Sequence, residues 1–167
     1  MQPLTESAIR SSFVNASRKE VKDMTLPATF GDLTAEDWEE LEFFGWRDPK
    51  FPKRAYAVLP RLDGDPVGIS FKQTDASPAT RPMCNWCRDV RLPNAVVFFS
   101  AKRTGDAGRR GNTIGILLCE EFQCSRNVRK DPPAPYDGFD VAAARVKRIE
   151  DLQLKVADFA DGMLEGR

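Results

Sequence analysis

The chain has 167 residues, with 25 basic and 25 acidic side chains, no histidine and 41% hydrophobic residues. This length and apolar fraction predict a folded protein built on one core and exclude global disorder. Because histidine is absent, a Ser-His-Asp triad, a Cys-His pair and histidine-ligated metals are excluded. No apolar run is long enough to span a membrane, and the polar N-terminus does not resemble a secretory signal, so we expect a cytoplasmic location.

The first part of the chain predicts two helices. Apolar residues at helical spacing indicate one helix over about residues 5–23. Thr34 and Asp37 form the pattern of an N-cap box, which predicts a second, short helix that ends at Gly45 in a left-handed conformation. The residues that follow, 46–52, are rich in aromatic and turn-forming residues and are interpreted as a connection.

Strand patterns follow in the middle of the chain. The β-like runs 54–62 and 67–74 flank an Asp-Gly turn and predict a hairpin. The polar stretch 75–82 is typical of a linker. Runs 94–103 and 112–119 predict a second hairpin, because the segment between them is rich in glycine.

The last part predicts a short helix within residues 120–129 and a long helix over about 139–163. The order of elements indicates an α+β fold, in which a small antiparallel sheet is flanked by helices. We divide the chain into a helical and β-hairpin part, residues 1–80, and a second part, residues 81–167, which contains all four cysteines and the long helix. Both parts are expected to form one compact unit.

The four cysteines occur in two pairs. Cys84 and Cys87 form a C-x2-C pair, and Cys119 and Cys124 form a C-x4-C pair. Disulfides are not expected in a reducing compartment, whereas four thiolates suit one structural zinc ion. The order of knuckle, hairpin and helix is that of a treble clef. Four incidental cysteines or a redox C-x-x-C pair are the alternatives, and catalytic zinc would need an open coordination position.

Basic residues are concentrated around these cysteines. Residues 81–130 carry ten basic and four acidic side chains, a net charge of +6, which predicts an anionic partner, either nucleic acid or an acidic protein surface. Arg103, Arg109 and Arg110 lie at a glycine-rich hairpin tip that we interpret as a flexible basic loop. They either bind phosphates or carboxylates or form an ordinary solvated loop.

The aromatic and acidic residues nearby have simpler interpretations. Trp86, between the first two cysteines, is either an exposed contact or packs over the metal site. We expect Trp38, Phe43 and Phe44 in the core. The glutamates of the short helix are expected on its solvated face; they are Glu39, Glu40 and Glu42.

The motifs CNWC and CEEFQCSRNVR, together with the basic hairpin between them, resemble the FBP-type treble-clef zinc-finger family. The stretch FFGWRDPKFPKRAYAVLPRLDGDPVGISF is similar to chromosomal actinobacterial members. The family includes the FusB-type fusidic acid resistance proteins, which bind elongation factor G. The resemblance implies that all four cysteines hold zinc, and that the finger binds this factor and helps to release it from the ribosome. By the same resemblance the contacts are Asn85, Trp86, Arg109, Arg110, Thr113 and Tyr136.

The sequence thus predicts a zinc-stabilised accessory factor of translation that binds elongation factor G and has no catalytic activity. The alternative is an RNA-binding zinc module on ribosomal RNA, with the same arginines on phosphates and Trp86 or Phe99 stacked on bases. Overall neutrality argues against a dedicated RNA binder. A small enzyme using Asp63 or Asp65 has only generic turn residues in its favour.

Overall fold

Five antiparallel strands and the helices around them make up the described part of the chain, which is residues 1–75 and 80–165 of a computed structural model. The strands are β1 Phe44–Arg47, β2 Arg54–Leu59, β3 Val67–Gln73, β4 Val96–Lys102 and β5 Thr113–Cys119. The helices are α1 Glu6–Ser12, α2 Arg18–Asp23, α3 Ala35–Glu39, α4 Gly105–Arg109, α5 Cys124–Arg129 and α6 Val141–Leu164, with a 3-10 helix at Ala28–Asp32. The predicted linker extends outside the described residues at positions 76–79.

The strands form one sheet in the order β1-β2-β3-β4-β5, and every neighbouring pair is antiparallel. The two predicted hairpins are confirmed as β2–β3 and β4–β5. They are joined where Lys72 pairs with Ser100 and Gln73 pairs with Phe99. Strands from both sides of residue 80 therefore belong to the same sheet, and the α+β class is confirmed.

The two faces of the sheet are covered differently. Because side chains alternate between faces along a strand, Ile69 and Phe71 point to one face, where they form a large core with the buried side of α6. The opposite face carries Trp46 and Tyr56, which pack under the N-terminal helices in a second apolar cluster. This second cover lies over β1, β2 and the start of β3, so the far part of the face carries polar and basic residues.

The single N-terminal helix predicted over 5–23 is wrong, since two short helices with separate caps replace it. Between them Val14 donates its backbone N–H to the Gly68 carbonyl at 3.0 Å. The amide group of Asn15 exchanges two hydrogen bonds with the backbone of Ser70, at 3.0 and 2.8 Å. Ser17 then starts α2 with a capping box. These hydrogen bonds to β3 stabilise the break between the helices more than the apolar periodicity of the sequence would stabilise one continuous helix.

The capping box of α3 is confirmed: the Thr34 hydroxyl accepts from the Asp37 backbone and the Asp37 carboxylate accepts from Thr34. The predicted left-handed exit at Gly45 is wrong, because this residue lies inside β1. A Cβ atom there would lie 2.7 Å from the Phe122 ring, so glycine is required for close packing and not for a turn. The connection predicted over residues 46–52 in fact begins with the rest of β1.

The tip of the second hairpin is also more ordered than predicted, because it forms the short helix α4. A Cβ atom on Gly108 would lie 1.8 Å from the carbonyl oxygen of Arg103, so only glycine lets this helix fold back onto the strand end. The basic residues of the tip are therefore held on a helical turn.

Candidate zinc centre and partner-binding surface

The four cysteines converge at one buried point. Their sulfur atoms all lie within 4.8 Å of one another. Two of the sulfur–sulfur distances, from Cys84 to Cys124 and from Cys87 to Cys119, are 3.6 Å. A disulfide bond needs about 2.05 Å, whereas a tetrahedron of Zn–S bonds of about 2.3 Å has edges of about 3.8 Å. The cluster therefore fits a metal ion and not disulfides.

Two tight turns bring the ligands together. Cys84 and Cys87 lie on a turn ahead of β4, Cys119 ends β5 and Cys124 begins α5. Each turn is closed by a backbone hydrogen bond of 3.0 Å, from Arg88 to Cys84 and from Phe122 to Cys119.

Both of the residues that donate these bonds have left-handed backbone conformations. Arg88 has a φ angle of 57° and Phe122 has one of 55°. Such angles are costly for residues with a side chain. Bonds to a common metal ion would hold both turns in place.

The thiols cannot all ionise without a cation. Hydrogen bonds from the thiols of Cys119, Cys124 and Cys84 lower the pKa of Cys87 well below its ordinary value. The thiol of Cys124 has its pKa raised, because it donates to the other three sulfurs and is buried. Four buried thiolates would repel one another strongly, so only a bound cation permits all four to be ionised together.

A second layer of side chains points at the sulfurs. The Nδ2 atom of Asn127 lies 3.4 Å from the Cys119 sulfur and 3.8 Å from that of Cys87. Asn94 donates to the Cys119 sulfur at 3.2 Å, and its oxygen lies 3.3 Å from Asn127 Nδ2. Amide donors stabilise thiolate charge and orient metal ligands.

Sequence reasoning did not identify these asparagines. The spacing offered a signal for Asn127, which follows Cys124 by three residues and so lies on the same side of α5.

This donor set fits one structural zinc ion. Four thiolates satisfy the tetrahedral preference of zinc and leave no open position for a substrate. Every ligand is at most 5% exposed. The prediction that Cys84, Cys87, Cys119 and Cys124 form one structural zinc site is confirmed.

A buried ion pair attaches the zinc-bearing helix α5 to the segment before β1. The guanidinium of Arg129 donates to both carboxylate oxygens of Glu42 at 2.7 and 2.9 Å, and the Glu42 side chain is only 2% exposed. The Glu42 backbone also donates to the Ser125 hydroxyl at 3.0 Å. The prediction that Glu42 belongs to a solvated helix face is therefore wrong, whereas Glu39 and Glu40 are exposed as expected.

The expectation that Trp86 contacts a partner is corrected by its burial. Its side chain is 2% exposed and packs against Phe43, with ring centroids 4.7 Å apart, and against Phe71 and Phe159. Its indole N–H has no hydrogen-bond partner among the described residues. Phe99 is fully buried too. Neither ring is available for stacking on bases, so that part of the RNA alternative is wrong.

The other predicted contacts reach the surface in three places. Asn85 is exposed beside β5, where it exchanges hydrogen bonds with the Leu117 backbone. Arg110 and Thr113 are exposed at the tip of the second hairpin. Tyr136 is 65% exposed in the segment between α5 and α6, and its ring packs edge-on against Phe139.

The two remaining arginines of the tip differ in environment. Arg103 is half-buried at the end of β4, whereas Arg109 is exposed on α4 and forms an ion pair with Asp106. Both line the same large groove. Their side chains therefore face a different part of the surface from Asn85, which is not among the residues that line that groove.

The family model of the FBP C-terminal treble-clef zinc-finger matches residues 8–163. Among solved structures, the fusidic acid resistance protein FusC is similar, with a TM-score of 0.50 and 17% sequence identity over 83% of this chain and 54% of that chain. The chain thus spans about half the length of that protein, and the likeness concerns the fold. No curated protein matches the sequence significantly. Within the described residues, no helix is both long and apolar enough to cross a membrane.

Proposed function

Because this chain belongs to the FBP C-terminal treble-clef zinc-finger family, we propose that it binds elongation factor G and promotes release of that factor from the ribosome. The observation that carries the proposal is the family match over residues 8–163, which includes a complete set of four zinc ligands. The likeness to a fusidic acid resistance protein supports a factor of the same general type. We expect it to act in the cytoplasm, where the ribosome is.

The zinc centre supports this role by making the binding surface rigid. When bound, zinc supplies four bonds that cross-link the knuckle, the second hairpin and α5, and no chemistry with a substrate. Asn85, Arg110 and Thr113 all lie on these cross-linked elements. A surface that is ordered before binding loses less conformational entropy when a partner docks, which favours affinity.

We propose that the protein works by binding alone. A binder shifts an equilibrium only through a difference in its affinity for the two states. The finger would therefore bind elongation factor G more tightly in the conformation that leaves the ribosome than in the bound one. The basic side chains at the hairpin tip would face carboxylates on the factor, where arginine forms two parallel hydrogen bonds.

The direct test is calorimetric titration of the zinc-loaded protein into purified elongation factor G. We expect saturable one-to-one binding, and we expect the double substitution Arg109→Glu with Arg110→Glu to weaken it at least about tenfold, since like charges at an interface are costly. Both side chains are exposed, so fold and zinc content should not change. A matched double substitution elsewhere, Lys130→Glu with Lys147→Glu, should leave the affinity unchanged.

A second assay measures how fast labelled elongation factor G leaves stalled ribosomes. The protein should accelerate release, and the double arginine variant should not. Absence of binding by the unsubstituted protein would overturn the proposal. Unchanged affinity of the arginine variant would overturn only the assignment of the contacts.

A further inference from the structure

A large groove of the protein is strongly basic, although the whole chain has no net charge. It has a volume of about 840 Å³ and lies between the α1–α2 connection, the β1–β2 loop, the open part of the sheet and α4. Seven basic residues and a single acidic one, Glu20, line it. The basic residues are Lys50, Lys53, Arg54, Lys72, Lys102, Arg103 and Arg109.

Strand register concentrates these charges on one face of the sheet. Arg54 on β2 lies opposite Lys72 on β3, which lies opposite Ser100 on β4. Lys102 is two residues further along β4 and so points to the same face. This is the part of the face that the N-terminal helices leave uncovered, and the three basic side chains are exposed.

The basic residues of the groove outnumber the carboxylates that pair with them among the described residues. Among the described residues, Lys53 and Arg109 have ion-pair partners, while the other five basic residues of the groove have none. The carboxylate of Glu20 accepts the Ser17 backbone N–H at 2.7 Å, and this bond, followed by the positive charges of Arg54 and Lys102, lowers the pKa of Glu20. One carboxylate therefore offsets only part of the positive charge of the groove. Like charges directly opposite each other on neighbouring strands destabilise a sheet, so Arg54 opposite Lys72 carries a cost that a bound polyanion would remove.

An aromatic ring lies at the rim of the groove. Phe51 is 45% exposed, and the guanidinium of Arg54 lies 4.5 Å from its ring centroid. Exposed aromatic rings beside a basic groove are the usual combination in proteins that bind single-stranded nucleic acid, where the rings stack on bases and the cations follow the phosphates. An acidic protein surface would use the charges and leave the ring without a role.

We propose that this groove binds a short single-stranded segment of RNA through its phosphate backbone, with Phe51 available for stacking on one base. A volume of about 840 Å³ suits a segment of a few nucleotides. The choice of RNA over DNA rests on the proposed function, which places the protein at the ribosome. The groove then anchors the protein on ribosomal RNA while the zinc finger binds the factor.

The test is fluorescence anisotropy of the zinc-loaded full chain with a labelled oligouridylate of about ten nucleotides. The groove variant is Lys72→Glu with Lys102→Glu. It is expected to remain folded, because a glutamate opposite Arg54 forms an attractive cross-strand pair. We expect at least about tenfold weaker binding, and a plot of log affinity against log salt that is flatter by about 1.4, the value for two lost phosphate contacts on a single strand.

Two control variants and two control ligands separate the alternatives. Lys130→Glu with Lys147→Glu, the charge-matched variant outside the groove, should bind RNA like the unsubstituted protein. Arg110→Glu, also outside the groove, should retain RNA binding while it weakens binding to elongation factor G, and the groove variant should show the opposite pattern. A poly-glutamate peptide of equal charge and a duplex of the same length should bind at least about tenfold more weakly than the oligouridylate, because neither offers unstacked bases.

The first three of the following outcomes overturn the groove proposal, and the fourth overturns only the proposed function. Absence of saturable RNA binding overturns the groove proposal, whether or not the protein binds elongation factor G. Equal binding of poly-glutamate makes the groove a site for acidic protein surfaces. A groove variant that loses the factor and keeps the RNA makes the groove part of the factor interface. If the factor does not bind but the groove binds RNA, the proposed function fails while the groove assignment stands.

Discussion

The zinc centre and the basic groove both bring like charges together, and they differ in what neutralises them. In the centre four buried sulfurs lie within 4.8 Å of one another and two asparagine amides point at them, and a bound zinc ion would neutralise their charge. In the groove Arg54 and Lys72 lie opposite each other with no carboxylate paired to either among the described residues. The centre needs its counterion in order to fold, whereas the groove tolerates the lack of one.

The contrast arises because repulsion between like charges is much stronger in the buried centre than at the exposed groove. Charges in a dry interior interact strongly, so a buried thiolate cluster without a cation would prevent folding. Exposed charges are screened by water and salt, and their repulsion amounts to less than about 1 kcal/mol per pair. The centre therefore serves stability and the groove remains free to serve binding, which the following substitutions can test.

Removal of the metal should have the largest effect. Structural zinc contributes about 10–16 kcal/mol of apparent binding free energy, which is as large as the whole stability of an ordinary domain, about 5–15 kcal/mol. We expect Cys119→Ser to lose zinc and native packing, as measured by metal content and near-ultraviolet circular dichroism. The single substitution Lys72→Gln, at the surface of the groove, should retain both the zinc and the native packing. A metal-free Cys119→Ser protein with native packing would show that the apolar cores suffice.

Glu42→Gln should cause the next largest loss of stability, since it leaves the Arg129 guanidinium without its buried carboxylate partner. Breaking a buried pair costs about 3–5 kcal/mol. Because Arg129 is partly exposed, we expect the free energy of unfolding, measured in urea, to fall by about 2 kcal/mol. Glu39→Gln on the exposed side of α3 should change stability by less than about 0.5 kcal/mol. Equal stability of the two variants would contradict the role of this pair.

Asn127→Ala tests the layer around the sulfurs. Loss of such outer contacts lowers metal affinity by about 10–100-fold, which competition with a chromogenic chelator measures. The exposed Asn112 provides the matched control, since Asn112→Ala should leave zinc affinity unchanged. The same affinity in both variants would mean that the thiolates alone determine zinc binding.

Lys72→Gln should have a small effect, and it should raise the stability that the preceding substitutions are expected to lower. Because it relieves repulsion with Arg54, we expect stability to rise by about 0.5 kcal/mol at low salt and the gain to vanish near about 1 M salt. Lys147→Gln removes an attractive pair with Asp151 and should lower stability by about 0.3 kcal/mol. A loss of stability in Lys72→Gln would contradict the uncompensated charge in the groove.

Sequence reasoning was most successful where the signal is local. The capping box at Thr34 and the two hairpins depend on residues close together in the chain, and the structure confirms them. It was less successful where distant contacts compete with local preference. Asn15 breaks the predicted N-terminal helix because its amide bonds to β3, and Gly45 lies in a strand because the Phe122 ring packs on it.

By itself the sequence determined the zinc centre. The two cysteine pairs and the hairpin between them place four thiolates at one point with little help from the rest of the fold. Tertiary structure decided which side chains remain at the surface. It buried Trp86 and Glu42, and it assembled the groove from segments as distant as Lys50 and Arg109. Such a groove has no sequence pattern, because its charges become neighbours only through strand register and packing.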